Sequence, residues 1–324
     1  MVRTALVLLL AVIGCKGGGN PAADSNLPGD GGGDDGPPTD GPESDGMDSC
    51  PSGQWCKETA PAAGVLLGAV WAASTGDVFA VGDGGTILRR TNNVWTAMQS
   101  NSTANLRGVW AANSSDVWAV GAAGATLHYD GSSWTSRPIP GVTADLHAVW
   151  GAAANDVWLI GSGVLVHWNG SAFAPTNRQG DFESIEGVAS NDIYVTGENT
   201  KPQHWNGTAW SSINDANLGT TNFSVWAAAA NDVWIGGFIP NKETIHWSGT
   251  AWSNVVAAGC IFSGFYGQSA SDLWAAGTSK IGHWNGSSWM VDTTTAAGES
   301  IHGVGGSGSF VWVVGSNSLI LHHN

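Results

Sequence analysis

Six histidines of this chain stand in one repeating context: His128, His167, His204, His246, His283 and His322. Upstream of the first five lie Asp116, Asp156, Asp192, Asp232 and Asp272, with Asp77 heading the series. Imidazole and carboxylate together can hold a metal or move a proton. The metal reading fails on position. Each histidine belongs to a different repeat unit, so no three can meet one ion at the ~2 Å that coordination demands. The expected role is structural. Folding a hairpin about Ala122 and Ala123 sets Asp116 beside His128, and an Asp–His hydrogen bond then satisfies two buried polar groups. Arg89 holds the histidine position of the first unit and keeps a donor for Asp77. In the last unit Phe310 replaces the aspartate, so His322 is expected to behave differently.

The elements that carry these residues repeat. The Asp-Val-Trp signal recurs at intervals of 39, 40, 36, 40 and 40 residues, and Val311-Trp312 supplies a seventh copy with Phe310 38 beyond Asp272. Each unit has four short apolar runs separated by turn residues. In the second these are Leu106–Trp110, Asp116–Gly121, Thr126–Tyr129 and the run at Trp134. Call them strands a, b, c and d. Four strands in about 40 residues are one blade of a β-propeller. The expected fold is all-β, a seven-bladed β-propeller over residues 49–324. The last unit stops after strand c at Leu319–His323. Trp55 lies 12 residues before Leu67, the interval that also separates Trp134 from Leu146 and Trp289 from Ile301. Residues 52–59 are therefore expected to pair with strand c of blade seven and close the ring, removing two open sheet edges.

The 19 tryptophans fall in the repeated positions, which marks them as packing between blades rather than as sugar-stacking rings. The net charge of −15, with only 11 Lys and Arg, excludes a nucleic-acid partner. No Gly-rich phosphate loop, nucleophile elbow or metal-ligand spacing is present, and no cofactor is expected.

The amino terminus has a different logic. Arg3 precedes an apolar run, Ala5 to Ile13, too short to span a bilayer and suited to a signal peptide, residues 1–14. The run ends at Gly14-Cys15, which resembles the bacterial lipobox. That resemblance implies acylation of Cys15 and anchorage in a membrane. Residues 15–48 then form a Gly-, Asp- and Pro-rich tether without the apolar side chains a core needs. Lys16 rather than Asp after the cysteine favours the outer membrane or cell surface.

From Leu67 to Asn324 the chain resembles the broad group of bacterial propellers that includes Asp-box (BNR), kelch and WD-repeat proteins. Asn206-Gly207-Thr208-Ala209-Trp210 is one residue tighter than an Asp-box and lacks its serine. The resemblance implies a fold and no activity. The sialidases of this group use an arginine triad and a Tyr–Glu pair. Arg89, Tyr129, Tyr194 and Tyr266 here occupy repeat positions, and no such constellation can be carried over.

A site is expected where the repeat breaks. Around one channel mouth, the second residue of strand a varies while its neighbours do not. The candidates are Arg107, His147, Glu186 and His302. Cys50 and Cys56 can close a small disulfide loop before the closing strand, leaving Cys260. The sequence thus reads as a non-catalytic binding or scaffold module, monomeric, tethered to the bacterial envelope and recognising a protein or an envelope polymer. The alternative is a glycan-binding lectin. A propeller-type glycoside hydrolase or lyase ranks below both.

Overall fold

The computed structural model describes residues 50–219, 221–239, 242–256, 262–277, 279–294 and 298–324. Cys15, the signal peptide, the tether and Cys260 lie outside them.

Seven sheets, each of four antiparallel strands, form the seven blades. Blade two shows the pattern: strand a is Leu106–Asn113, b is Asp116–Gly121, c is Thr126–Tyr129 and d is Trp134–Ser136. Strand a of every blade packs on strand a of the next, round to blade one, so the a strands surround the axis and the d strands lie outermost. Strand b is the best-buried element. Val117, Trp118, Ala119 and Val120 are fully covered, because both faces of b press on neighbouring blades. The aromatic position of strand b, filled by Phe79, Trp118, Trp158, Tyr194, Trp234, Trp274 and Trp312, is buried in all seven. None of the 19 tryptophans, all described, is exposed.

Strand b ends on glycine for a steric reason. At Gly121 a Cβ would stand 2.1 Å from the Asn105 carbonyl oxygen, and at Gly161 2.0 Å from that of Asp145. The next residue donates its N–H to that same oxygen, Ala122 to Asn105 at 2.9 Å and Ser162 to Asp145 at 3.0 Å. This contact seats the b–c hairpin on the start of strand a, and so shapes the channel mouth.

The ring closes as the intervals require. Trp55–Lys57 pairs antiparallel with Ile320–His323, matching Trp55 with His323 and Cys56 with His322. Gly53 N–H to Asn324 O and Glu58 N–H to Ile320 O, both 3.0 Å, extend the ladder at each end. Cys50, ahead of this strand, and Cys56, within it, form a disulfide.

Candidate functional site

The Asp–His pairs form in five blades. Asp116–His128 closes at 2.9 Å, Asp156–His167 and Asp192–His204 at 2.7 Å, and Asp232–His246 and Asp272–His283 at 2.8 Å, in each case through Nε2. The histidine also lies on the strand-b aromatic directly across the sheet, with centroids 4.0 Å apart for Trp274–His283 and 4.2 Å for Trp234–His246. Arg89 does both jobs in blade one. It binds Asp77 at 2.8 and 2.7 Å and sits 5.1 Å over Phe79. His322, without its aspartate, instead places Nδ1 2.7 Å from Glu58 Oε1. Among the described residues no group of His, Cys, Asp or Glu is arranged to hold a metal.

The breaks in the repeat meet elsewhere. Strand a carries a β-bulge in every blade, immediately after Leu67, Leu106, Leu146, Phe182, Asn222, Phe262 and Ile301. In blade two Leu106 pairs with Gly121 and Gly108 with Val120, so Arg107 has no partner across the sheet. Six other residues occupy the same place: Gly68, His147, Glu183, Phe223, Ser263 and His302. A bulge adds one residue and re-aims its side chain. Here it turns seven residues of six types toward one cavity of about 430 Å³ at the channel mouth, which Asp83 and Asn105 also line.

Three expected residues, Arg107, His147 and His302, are in this cavity. Glu186 is not, which is a correction. Strand a of blade four is Asp181–Ala189, with Phe182 paired to Gly197 as Leu146 is to Gly161. Glu183 therefore takes the variable position. Glu186 pairs with Tyr194 and stands where Trp150 stands in blade three. The run Ile185-Glu186-Gly187-Val188 imitates the strand opening Leu106-Arg107-Gly108-Val109, but three residues too late. A usable signal is the constant interval of 10 from the residue before the bulge to the aspartate, which Phe182–Asp192 meets and Ile185–Asp192 does not.

Two ion pairs join adjacent blades at the mouth. Arg107 of blade two reaches Asp145 at 3.2 Å. His147 of blade three places Nδ1 3.0 Å from Glu183 Oε1 and 2.9 Å from the Phe182 carbonyl oxygen. Burial opposes the imidazolium, but Glu183 and that carbonyl outweigh it and raise the His147 pKa. His302 bonds Ser300 Oγ through Nε2 at 2.9 Å. Burial lowers its pKa, although Asp83 pulls the other way. The mouth thus has an ionic arc over blades two to four, an uncharged arc of Phe223 and Ser263 over blades five and six, and His302, Gly68 and the Asp83 carboxylate over blades seven and one. Glu186 is below it, where burial raises its carboxyl to about 7 despite hydrogen bonds from the Gly187 N–H at 3.3 Å and the Trp150 indole.

No family model matches the chain, and no curated protein matches it. Solved structures do. YCF48 bound to a D1 peptide aligns at 12% identity over 83% of this chain and 94% of that one, with a TM-score of 0.68. Catalytically inactive virginiamycin B lyase from Staphylococcus aureus, with quinupristin, aligns at 11% over 83% and 98%, with a TM-score of 0.73. The WD40 propeller domain of Doa1 aligns at 10% over 82% and 94%, with a TM-score of 0.66. At these identities the likeness is one of fold.

Proposed function

We propose that this chain is a non-catalytic binding module, held at the bacterial envelope by an acylated Cys15 and displayed on its tether, with the channel mouth as its site. The observation that carries the reading is the set of seven bulges. Backbone geometry there is uniform, whereas the side chains are all but one pair different, and all converge on one cavity. Its volume of about 430 Å³ lies in the range of ligand pockets. A protein or peptide is the favoured occupant. The propeller whose structure holds a D1 peptide supports that choice, although the fold also serves a lyase. A lectin reading requires solvent-facing rings, and every tryptophan is at least half covered. The anchor rests on the apolar run that stops at Gly14-Cys15 and on the composition of residues 16–48.

A photo-crosslinking amino acid at position 263, in the mouth, and another at position 132, in the exposed c–d turn of blade two, test the site in intact cells. The expected result is a discrete adduct from position 263 only. An adduct from position 132 with none from position 263 would overturn the reading. Globomycin treatment, which blocks lipoprotein signal cleavage, should leave a larger unprocessed form; an unchanged mass would exclude the anchor.

A further inference from the structure

We infer that the channel mouth takes a basic side chain, a lysine or arginine of an extended polypeptide, against the carboxylate of Asp83. This rests on the mouth being the binding site and adds the chemistry of its occupant.

The inference begins with which charges are already used. Arg107 holds Asp145 at 3.2 Å, and His147 holds Glu183 at 3.0 Å. Each of these two basic side chains is therefore answered by a carboxylate from the next blade. Asp83 is different. It opens the b–c turn of blade one, Asp83–Gly85, and its backbone is fixed by Asp83 N–H to Leu66 O at 3.0 Å. Its carboxylate has no hydrogen bond or ion pair among the described residues, yet it is half-buried in the cavity wall. Of the basic side chains lining the cavity, Arg107 and His147 have carboxylate partners, which leaves His302, whose ring feels the Asp83 charge. Burial disfavours charge on that ring, and its Nε2 is engaged with Ser300 Oγ. The charge left over at the mouth is thus negative.

Two further features fit a cationic side chain. Gly68, at the bulge of blade one, leaves its part of the cavity wall without a side chain; a Cβ there would come 3.2 Å from the Leu106 carbonyl oxygen. The half-buried ring of Phe223, in the uncharged arc, offers an apolar surface to the methylene stem that lysine and arginine carry behind their charge. The net charge of −15 steers basic segments toward the molecule and acidic polymers away. An anionic occupant would compete with Asp145 or Glu183 for its partner.

The test is an array of immobilised random nonapeptides probed with the full-length chain in detergent, as wild type and as the variants Asp83→Asn, Arg107→Ala and Phe223→Ala. Near-ultraviolet circular dichroism checks each variant for folding. The expected result is enrichment of Lys and Arg among bound peptides, with affinity falling about tenfold or more in Asp83→Asn, as for loss of a charge-assisted hydrogen bond. Enrichment of Asp and Glu that vanishes in Arg107→Ala would overturn the cation inference and leave the mouth as the site. Binding indifferent to all three variants, or no binding to any peptide, would overturn both.

Discussion

Glu58 Oε2 accepts a hydrogen bond from Arg90 Nε at 3.0 Å, joining the closing strand to blade one rather than to blade seven alone. Arg90 is only 2% exposed and lies 5.6 Å over the Trp312 ring. Trp95 also donates to Glu58, and His322 faces its other oxygen. On the opposite side Trp55 bonds Asp292 and Lys57 bonds Glu299, each at 2.5 Å. The closing strand is therefore tied to both neighbours of the blade it completes.

Breaking a buried ion pair by removing one partner strands the other charge, at a cost of about 3–5 kcal/mol. Glu58→Ala is expected to lower stability in urea by that order. Burial works against the Glu58 carboxylate, but His322 and Arg90 outweigh it and hold its pKa below 4.5. A depressed carboxyl contributes stability above its unfolded pKa and loses it as pH falls through the folded value. Glu58→Gln should remove that part of the acid sensitivity, read as a shallower fall of the urea midpoint below about pH 4.5. Equal slopes in wild type and variant would refute the latch. Deleting residues 49–60 should destabilise blade seven, and deleting residues 20–45 should not.

The Asp–His pairs are partly exposed, so each contributes modestly. A double-mutant cycle with His128→Ala and Asp116→Ala is expected to give a coupling of about 1 kcal/mol in urea unfolding. A coupling of zero would mean that the histidine is retained only for its contact with Trp118, 4.6 Å away between ring centroids.

What could be read from sequence follows from what repetition records. Blade number, the Asp–His pairs and the closing strand all leave a recurring pattern of residue types at similar spacing, and each stands in the structure as that pattern requires. Glu183 was hidden by a local imitation, because Ile185-Glu186-Gly187-Val188 copies the letters of a strand opening without its spacing. A bulge has no letter of its own, but the position that turns into the cavity shows as the variable residue of the strand-a signal, which points to Arg107, His147 and His302. Glu58 gave no signal at all. It occurs once, in a segment outside the repeat, and its partners Arg90 and His322 are 32 and 264 residues away.

At the mouth, His147 is expected to titrate above 6.5 and His302 below it, measured from imidazole proton shifts by NMR. The two differ in a partner. Glu183→Gln removes the carboxylate that sustains the His147 charge and leaves burial, which opposes it, so His147 should drop toward or below its ordinary value. A raised histidine contributes stability at low pH and loses it as pH rises through the folded value. Wild type should therefore lose more stability than Glu183→Gln between pH 6 and 8. An unmoved His147 titration would show that Glu183 is not its partner.

Glu186 makes the opposite prediction, because its carboxyl has burial without a cation. Trp150 lies over Gly187, where a Cβ would stand 2.6 Å from the ring, so the blade-three tryptophan fills its usual place and the carboxyl of blade four is left beneath it. Burial raises the Glu186 pKa to about 7, whereas the unfolded chain ionises near 4.5. Between those values the folded state binds the extra proton, and stability falls as pH rises. Glu186→Gln keeps an acceptor for the Trp150 and Gly187 N–H groups and cannot ionise. It should match wild type near pH 5 and exceed it near pH 8, by on the order of 1 kcal/mol once partial exposure is discounted. Parallel stability curves across that range would show that Glu186 is ionised and solvated in the channel. The carboxylate would then add to the negative charge on which the capture of a basic side chain depends, and the Asp83→Asn effect would shrink.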